Sequence, residues 1–311
     1  MLILAAKAAV TIVLFYLILQ VLDDDALIEA LRDVDLGLAL LGVLAMWLNV
    51  ALSAYRWQVF LGFFRLETSL TTCARIYAEA VAVNLVLPGS VGGDVYRVYK
   101  LGHARGRYWE VLSSVLADRF CSLLVLLVVS AGALSLHLQA AGGPLLFVLC
   151  LLAATAAGFV FVYSFPVSRR WMDFKAYRYL VRLVHVVKRL FRGPQRIFSA
   201  LGLSVAVQAS VFASMYFCLA AVERDLAQVD LAILSTALAT LAAMLPVTLA
   251  GFGLREGAVV ATLSLLGVPI EQAAAVAAVF AVCTLGQCLP GALAWASSTL
   301  ERSNEAPVRS R

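Results

Sequence analysis

Apolar runs about the length of a bilayer crossing follow one another along the chain, separated by short polar loops whose charge alternates in sign. A crossing helix needs roughly 20 apolar residues, and six stretches supply them: 2–22, 36–56, 111–137, 145–165, 197–221 and 271–298. Lys and Arg gather in short cytoplasmic loops, so the loops set the order of sides. Residues 23–35 carry six acids against Arg32 and belong outside, which puts the N-terminus inside. Span two then delivers Arg56 and Arg65 to the cytoplasm, where Arg97, Lys100, Arg105 and Arg107 are expected as well. Residues 166–196 hold nine Lys/Arg against Asp173 alone, the clearest cytoplasmic marker. Glu223, Asp225 and Asp230 lie outside again, and Arg302, Arg309 and Arg311 put the C-terminus in the cytoplasm. The first run ends in three aspartates instead of a small-residue cleavage site, so it reads as a retained span and not a secretion signal.

Two further apolar stretches are interrupted. Asn84–Arg97 carries Pro88, Gly89, Ser90, Gly92, Gly93 and Asp94 inside a hydrophobic run, and Leu245–Glu256 carries Pro246, Thr248, Gly251 and Gly253. Within lipid, backbone broken in this way survives only inside protein or beside water. Pro88 matches Pro246, Ser90 matches Thr248, Gly93 matches Gly251 and Arg97 matches Arg255, all at one offset of 158 residues. Basic loops on both sides of the first break favour a hairpin that enters and returns from one face. A rival count reads each broken stretch as two short helices or a full crossing, with about eight helices in all. The same offset carries span two onto span five and span three onto span six, running in opposite directions. The expected fold is therefore an all-α integral membrane domain over 1–311. It is an inverted-repeat bundle, with repeat A at about 36–137 and repeat B at about 197–298. Interrupted segments at matching positions of two halves point to a transporter's binding site.

Composition agrees: hydrophobic residues make up 63%, charged residues 14%, and mean hydropathy is +0.93, against about 45–50% and 25% in soluble domains. The net charge of +5 lies where membrane topology puts it, so nucleic acid is not an expected partner. The six cysteines and three histidines form no metal-ligand spacing, and no metal or cofactor is expected. Nucleotide fingerprints, a Gly-x-Ser-x-Gly elbow and an HExxH helix are all missing, so no covalent chemistry is read.

Ionisable groups at membrane depth are costly and tend to be functional. Arg97 and Arg255 each follow a glycine-rich break, where freed N–H groups and a helix start attract an anion. A guanidinium adds a rigid fork for phosphate oxygens. Ser90 and Thr248 would add hydrogen bonds, and Asp94 and Glu256 flank the arginines and would pair with them. Arg75 and Glu79 stand one helical turn apart, Asp118 and Arg119 read as a bundle-interior pair, and Asn84 as a brace for the broken helix. In the basic segment 166–196, Trp171, Phe174, Tyr177, Val184 and Phe191 recur at helical spacing with cations between. That pattern suits a cytoplasmic helix lying on anionic head groups.

The pattern N-x-x-x-P-G-x-x-G-G-D-x-x-R at Asn84–Arg97, L-P-x-x-x-x-G-x-G-x-R-E at Leu245–Glu256, and Asp118-Arg119 resemble the flippase-like family, the transmembrane region of lysylphosphatidylglycerol synthases. The resemblance implies a lipid transporter of a prokaryotic cytoplasmic membrane that moves an anionic or lipid-linked amphiphile between leaflets. Some relatives add a soluble aminoacyl-transfer domain. This chain ends shortly after span six, so that activity is expected to be absent. The rival expectation is a membrane-embedded transferase acting on a polyprenyl-phosphate or phospholipid, with Asp94 or Glu256 as general base. A third is a scaffold for lipid-pathway enzymes.

Overall fold

The computed structural model describes residues 24–86, 92–140, 194–244, 248 and 251–296. Spans one and four, the basic segment 166–193, Pro88, Gly89, Ser90, Pro246 and the C-terminal arginines lie outside the described residues. Everything regular among those described is helical. A short α1 (Asp24–Arg32) precedes α2 (Leu36–Phe63), α3 (Leu70–Val86), α4 (Gly92–Arg105) and α5 (Tyr108–Ala140). The second half holds α6 (Pro194–Val222), α7 (Val229–Met244), α8 (Leu254–Leu265) and α9 (Ile270–Gly286). Past a turn at Gln287–Cys288 the last helix resumes to Ala296.

Four of these helices are long and apolar enough to cross a membrane: Leu36–Phe63, Tyr108–Leu134, Phe198–Val222 and Ile270–Ala296, with mean hydropathy between 1.8 and 2.0. The 17 residues of α3 and the 12 of α8 rise only about 25 and 18 Å at 1.5 Å each, short of a hydrocarbon core of about 30 Å. Shifting α2–α5 by 158 residues lays them on α6–α9: 36–63 becomes 194–221, and 70–86 becomes 228–244. Each half is thus long–short–short–long.

The halves meet along α2 and α6. Ser214 Oγ donates to Gly42 O at 2.9 Å, Asn49 Nδ2 to Val207 O at 3.0 Å, and Arg56 Nη1 to Ser204 Oγ at 3.2 Å. Positions rise on α2 while they fall on α6, so the helices run antiparallel. Asn49 and Val207 are themselves 158 residues apart, so a position touches its own counterpart at the crossing, as a two-fold axis between halves requires. Gly42 at this crossing also admits α9 closely, since a Cβ there would lie 2.9 Å from Cys283 Sγ. Small residues at helix contacts take the place of hydrophobic collapse when lipid is as apolar as the core.

Each short pair folds back as a hairpin for the same local reason. A Cβ on Gly93 would sit 2.5 Å from Ala80 O, and one on Gly251 would sit 2.8 Å from Ala243 Cβ. Gly251 also has φ +82°, a conformation only glycine adopts without strain. The start of α4 is capped from the preceding helix, with Gly93 N donating to Asn84 Oδ1 at 2.5 Å. Asn84 therefore braces the break. Opposite ends of the bundle differ in charge. At one, Arg107 and Arg105 donate to the carbonyls of Arg65 and Glu67. At the other, Glu29, Asp33, Glu223 and Glu271 surround a hollow, and Asp35 caps α2 by accepting from Gly37 N and Leu38 N.

One close approach was not foreseen. Pro290 has no N–H to give the carbonyl of Gly286 four residues earlier, and Trp47 Nε1 donates to that carbonyl at 2.9 Å instead. The bend presses Gly291 against α3, where a Cβ would lie 1.9 Å from Ala78 O. Gly291→Ala is expected to overpack this crossing and cost about 1–3 kcal/mol. Thermal unfolding of the detergent-purified protein measures it. Gly132→Ala, with nothing within 4 Å of its Cβ position, is the control and should leave the midpoint unchanged or raised.

Candidate functional site

Three of the four helices of the first half contribute to a chain of ions. Asp118 on α5 meets Arg56 on α2 at 2.7 Å and Arg97 on α4 at 3.3 Å. Arg97 also reaches Asp94 one turn earlier on α4, and Asp94 turns its other oxygen to Arg119 Nε at 2.7 Å. The order is Arg56, Asp118, Arg97, Asp94, Arg119. Arg56, Asp118 and Arg97 are each at most 2% exposed. The Arg97 guanidinium is further enclosed by Tyr77 at 4.7 Å and Trp57 at 5.2 Å, and Trp57 is itself held by Ser114 Oγ at 3.1 Å. Desolvating an ion costs several kcal/mol. Alternating signs with aromatic faces offset that cost here.

This geometry corrects two expectations. Arg56 is not delivered to the cytoplasm: α2 continues to Phe63, and Trp57, Phe60 and Leu61 carry its buried face past the arginine. Arg65 marks the helix end alone. Asp118 and Arg119 do not pair with one another either. Neighbours on a helix point about 100° apart, so Asp118 faces α2 and α4 while Arg119 faces Asp94 and a cavity.

That cavity lies between the halves as two adjoining hollows of about 220 and 260 Å³. Asn49, Arg119, Val211, Thr240 and Ala243 line both, which makes them one space. Arg56 and Asp118 reach its first part, while Asn84, Arg255 and Gln287 wall the second. Arg119 keeps 38% of its side-chain surface open, and it opens there. The guanidiniums facing the larger hollow among the described residues are thus Arg119 and Arg255, one from each half. Arg97 stands behind the wall.

Around Arg255 the second half is simpler. Glu256 accepts from Arg255 Nη2 at 2.8 Å and from Gly253 N at 2.6 Å, and so neutralises the arginine and caps α8 together. Phe252, at the position matching Asp94, lies 4.8 Å from the Arg255 guanidinium. Thr248 is fully buried with its hydroxyl unpartnered. Glu79 is also fully buried. It is taken by Lys100, by Arg75 at 3.3 Å and by Tyr96 Oη at 2.8 Å, away from the cavity residues. Asn49, Gln208, Thr240, Thr284 and Gln287 are wall residues that sequence reasoning passed over. The polar positions Asn49, Ser53 and Arg56 recur at helical spacing within α2 and were the signal available. Among the described residues no metal-ligating cluster forms, and five of the cysteines are free and buried.

An all-helical, multi-pass bundle with buried ions around a polar hollow defines an integral membrane protein. The lysylphosphatidylglycerol synthase TM region family matches residues 4–291, and the chain belongs to that family. No curated protein matches it.

Asp118→Asn would leave Arg56 and part of Arg97 unmatched in the interior, at an expected cost of about 3–5 kcal/mol. The midpoint of thermal unfolding reads it. Adding Arg56→Met should recover much of the loss, because the orphaned charge goes with it. A double variant no more stable than Asp118→Asn would contradict the pairing.

Proposed function

We propose that the protein is a lipid flippase-like transporter, and not an enzyme, moving an anionic or lipid-linked amphiphile between leaflets. One observation carries this reading: each half gives one cavity-facing guanidinium, Arg119 and Arg255, to a hollow between the halves. A head group would occupy that hollow while its tails stay in lipid. The two hairpins would dip from opposite faces as an inverted repeat, with the basic end cytoplasmic in a prokaryotic inner membrane. Enzymes of a lipid pathway are the expected partners. Transport would run passively or on an ion gradient. The rival transferase reading needs a free general base, yet Asp94 is shared between two guanidiniums and Glu256 is bonded to Arg255 and Gly253 N–H.

Leaflet exchange of a fluorescent anionic phospholipid in proteoliposomes tests the proposal. The protein should accelerate exchange, and Arg119→Gln or Arg255→Gln should each slow it by about tenfold or more, since a charge-assisted contact in a dry site contributes about 1.5–3 kcal/mol. A covalently altered lipid in the same vesicles, without exchange, would replace transport by catalysis.

A further inference from the structure

The first hairpin holds a second ionic cluster, away from the residues that wall the hollow. Glu79 on α3 is fully buried, and its two oxygens are divided between cations from both arms of the hairpin. Oε1 accepts from Arg75 Nε at 3.3 Å. Oε2 accepts from Lys100 Nζ and, at 2.8 Å, from Tyr96 Oη, both on α4. One carboxylate therefore brings Arg75 and Lys100 together, yet neither is sealed in: 48% and 31% of their side-chain surfaces stay open. Among the described residues Arg75 gives Glu79 only its Nε–H, which leaves both Nη groups of the fork for another acceptor.

Closing the hairpin does not account for these ions. At the offset of 158 residues, Arg75, Glu79, Tyr96 and Lys100 correspond to Ile233, Ala237, Leu254 and Ala258, so the second hairpin folds without them. Depth supplies a reason. Arg75 lies five residues from the start of α3 and Lys100 five from the end of α4, about 7.5 Å from the basic end of the bundle at 1.5 Å per residue. Polar head groups occupy about 5–8 Å on each side of the hydrocarbon core, so open cations at this level meet lipid phosphate. On the same helix Tyr99 is exposed beside Lys100, and Val95 is exposed one turn deeper. An amphipathic ring above an aliphatic side chain suits a glycerol backbone and the acyl chain below it. We propose that this face is a peripheral lipid site, where Arg75 and Lys100 clamp the phosphate of an anionic phospholipid in the leaflet at the basic end. Neither cation has a charged partner besides Glu79 among the described residues, so a zwitterionic lipid, whose own cation would be repelled, binds less well. A guanidinium fork with free donors suits phosphate oxygens.

Val95→Trp places a fluorescent reporter where the chain would lie. The full-length variant is reconstituted in phosphatidylcholine with rising fractions of dibrominated phosphatidylglycerol or dibrominated phosphatidylcholine. Quenching is read as the difference from the parent protein. The anionic lipid should be favoured about fivefold at low salt, the effect of about one cation near a membrane surface, and less at high salt. Arg75→Gln, which leaves Glu79 with Lys100 and Tyr96, should bring the ratio to about one, while Arg75→Lys should keep part of it. Equal quenching by the two lipids in the reporter protein overturns the proposal. So does an unchanged preference in a folded Arg75→Gln protein. Inorganic phosphate in excess, with ionic strength held constant by chloride, should leave the quenching as it was. Relief of quenching by phosphate would assign the clamp to a soluble anion and overturn the lipid assignment.

Discussion

The bidentate role of Asp94 and Asp118, each holding two guanidiniums, is the constraint on which the first half depends. Neither carboxylate would be tolerated alone in an apolar bundle, and none of the three arginines would be either. Alternation along the chain makes the burial affordable, and the alternation exists only if α2, α4 and α5 keep their mutual rotation. A large turn about any of these helices would part unlike charges and leave desolvated ions unmatched. Packing in lipid is otherwise permissive, because apolar side chains gain little by leaving the tails for one another. The ions therefore supply orientation where the hydrophobic effect cannot.

The second half reaches a similar backbone by cheaper means. Arg255, the counterpart of Arg97, finds its carboxylate in the next residue, and Phe252 replaces the matching acid with an aromatic face. Tight glycines at Gly93 and Gly251 are common to both hairpins, so close helix approach is shared even where the electrostatics differ. With Arg97 sealed behind Trp57 and Tyr77, Arg119 takes the cavity-facing place on its side.

Much of this architecture could be read from residues alone. Long apolar runs located α2, α5, α6 and α9, and the Pro–Gly–Arg spacing located both breaks and the offset that superposes the halves. What escaped the sequence has physical causes. A window of about 20 residues stops at the first charge, so Arg56 was read as a helix end although its helix runs on past it. Adjacency in sequence says nothing of direction, so Asp118 and Arg119 were paired with each other instead of with Arg97 and Asp94. Arg97 and Arg255 look alike in their motifs. Only the surrounding helices decide that one is enclosed and the other faces the hollow. Gly291 carried no signal at all, because its reason lies on α3.

Pseudo-symmetry in a carrier usually lets one half adopt the other's shape, and the two access states then come out nearly equal in energy. Here the two halves differ in chemistry. The positions matching Arg56, Asp118 and Arg119 are Ser214, Val276 and Ala277, which cannot take over an ionic lattice. One hairpin is clamped by charge and its twin is held by Glu256 and the Phe252 ring. On the transport reading proposed above, a molecule built this way would rest facing one side.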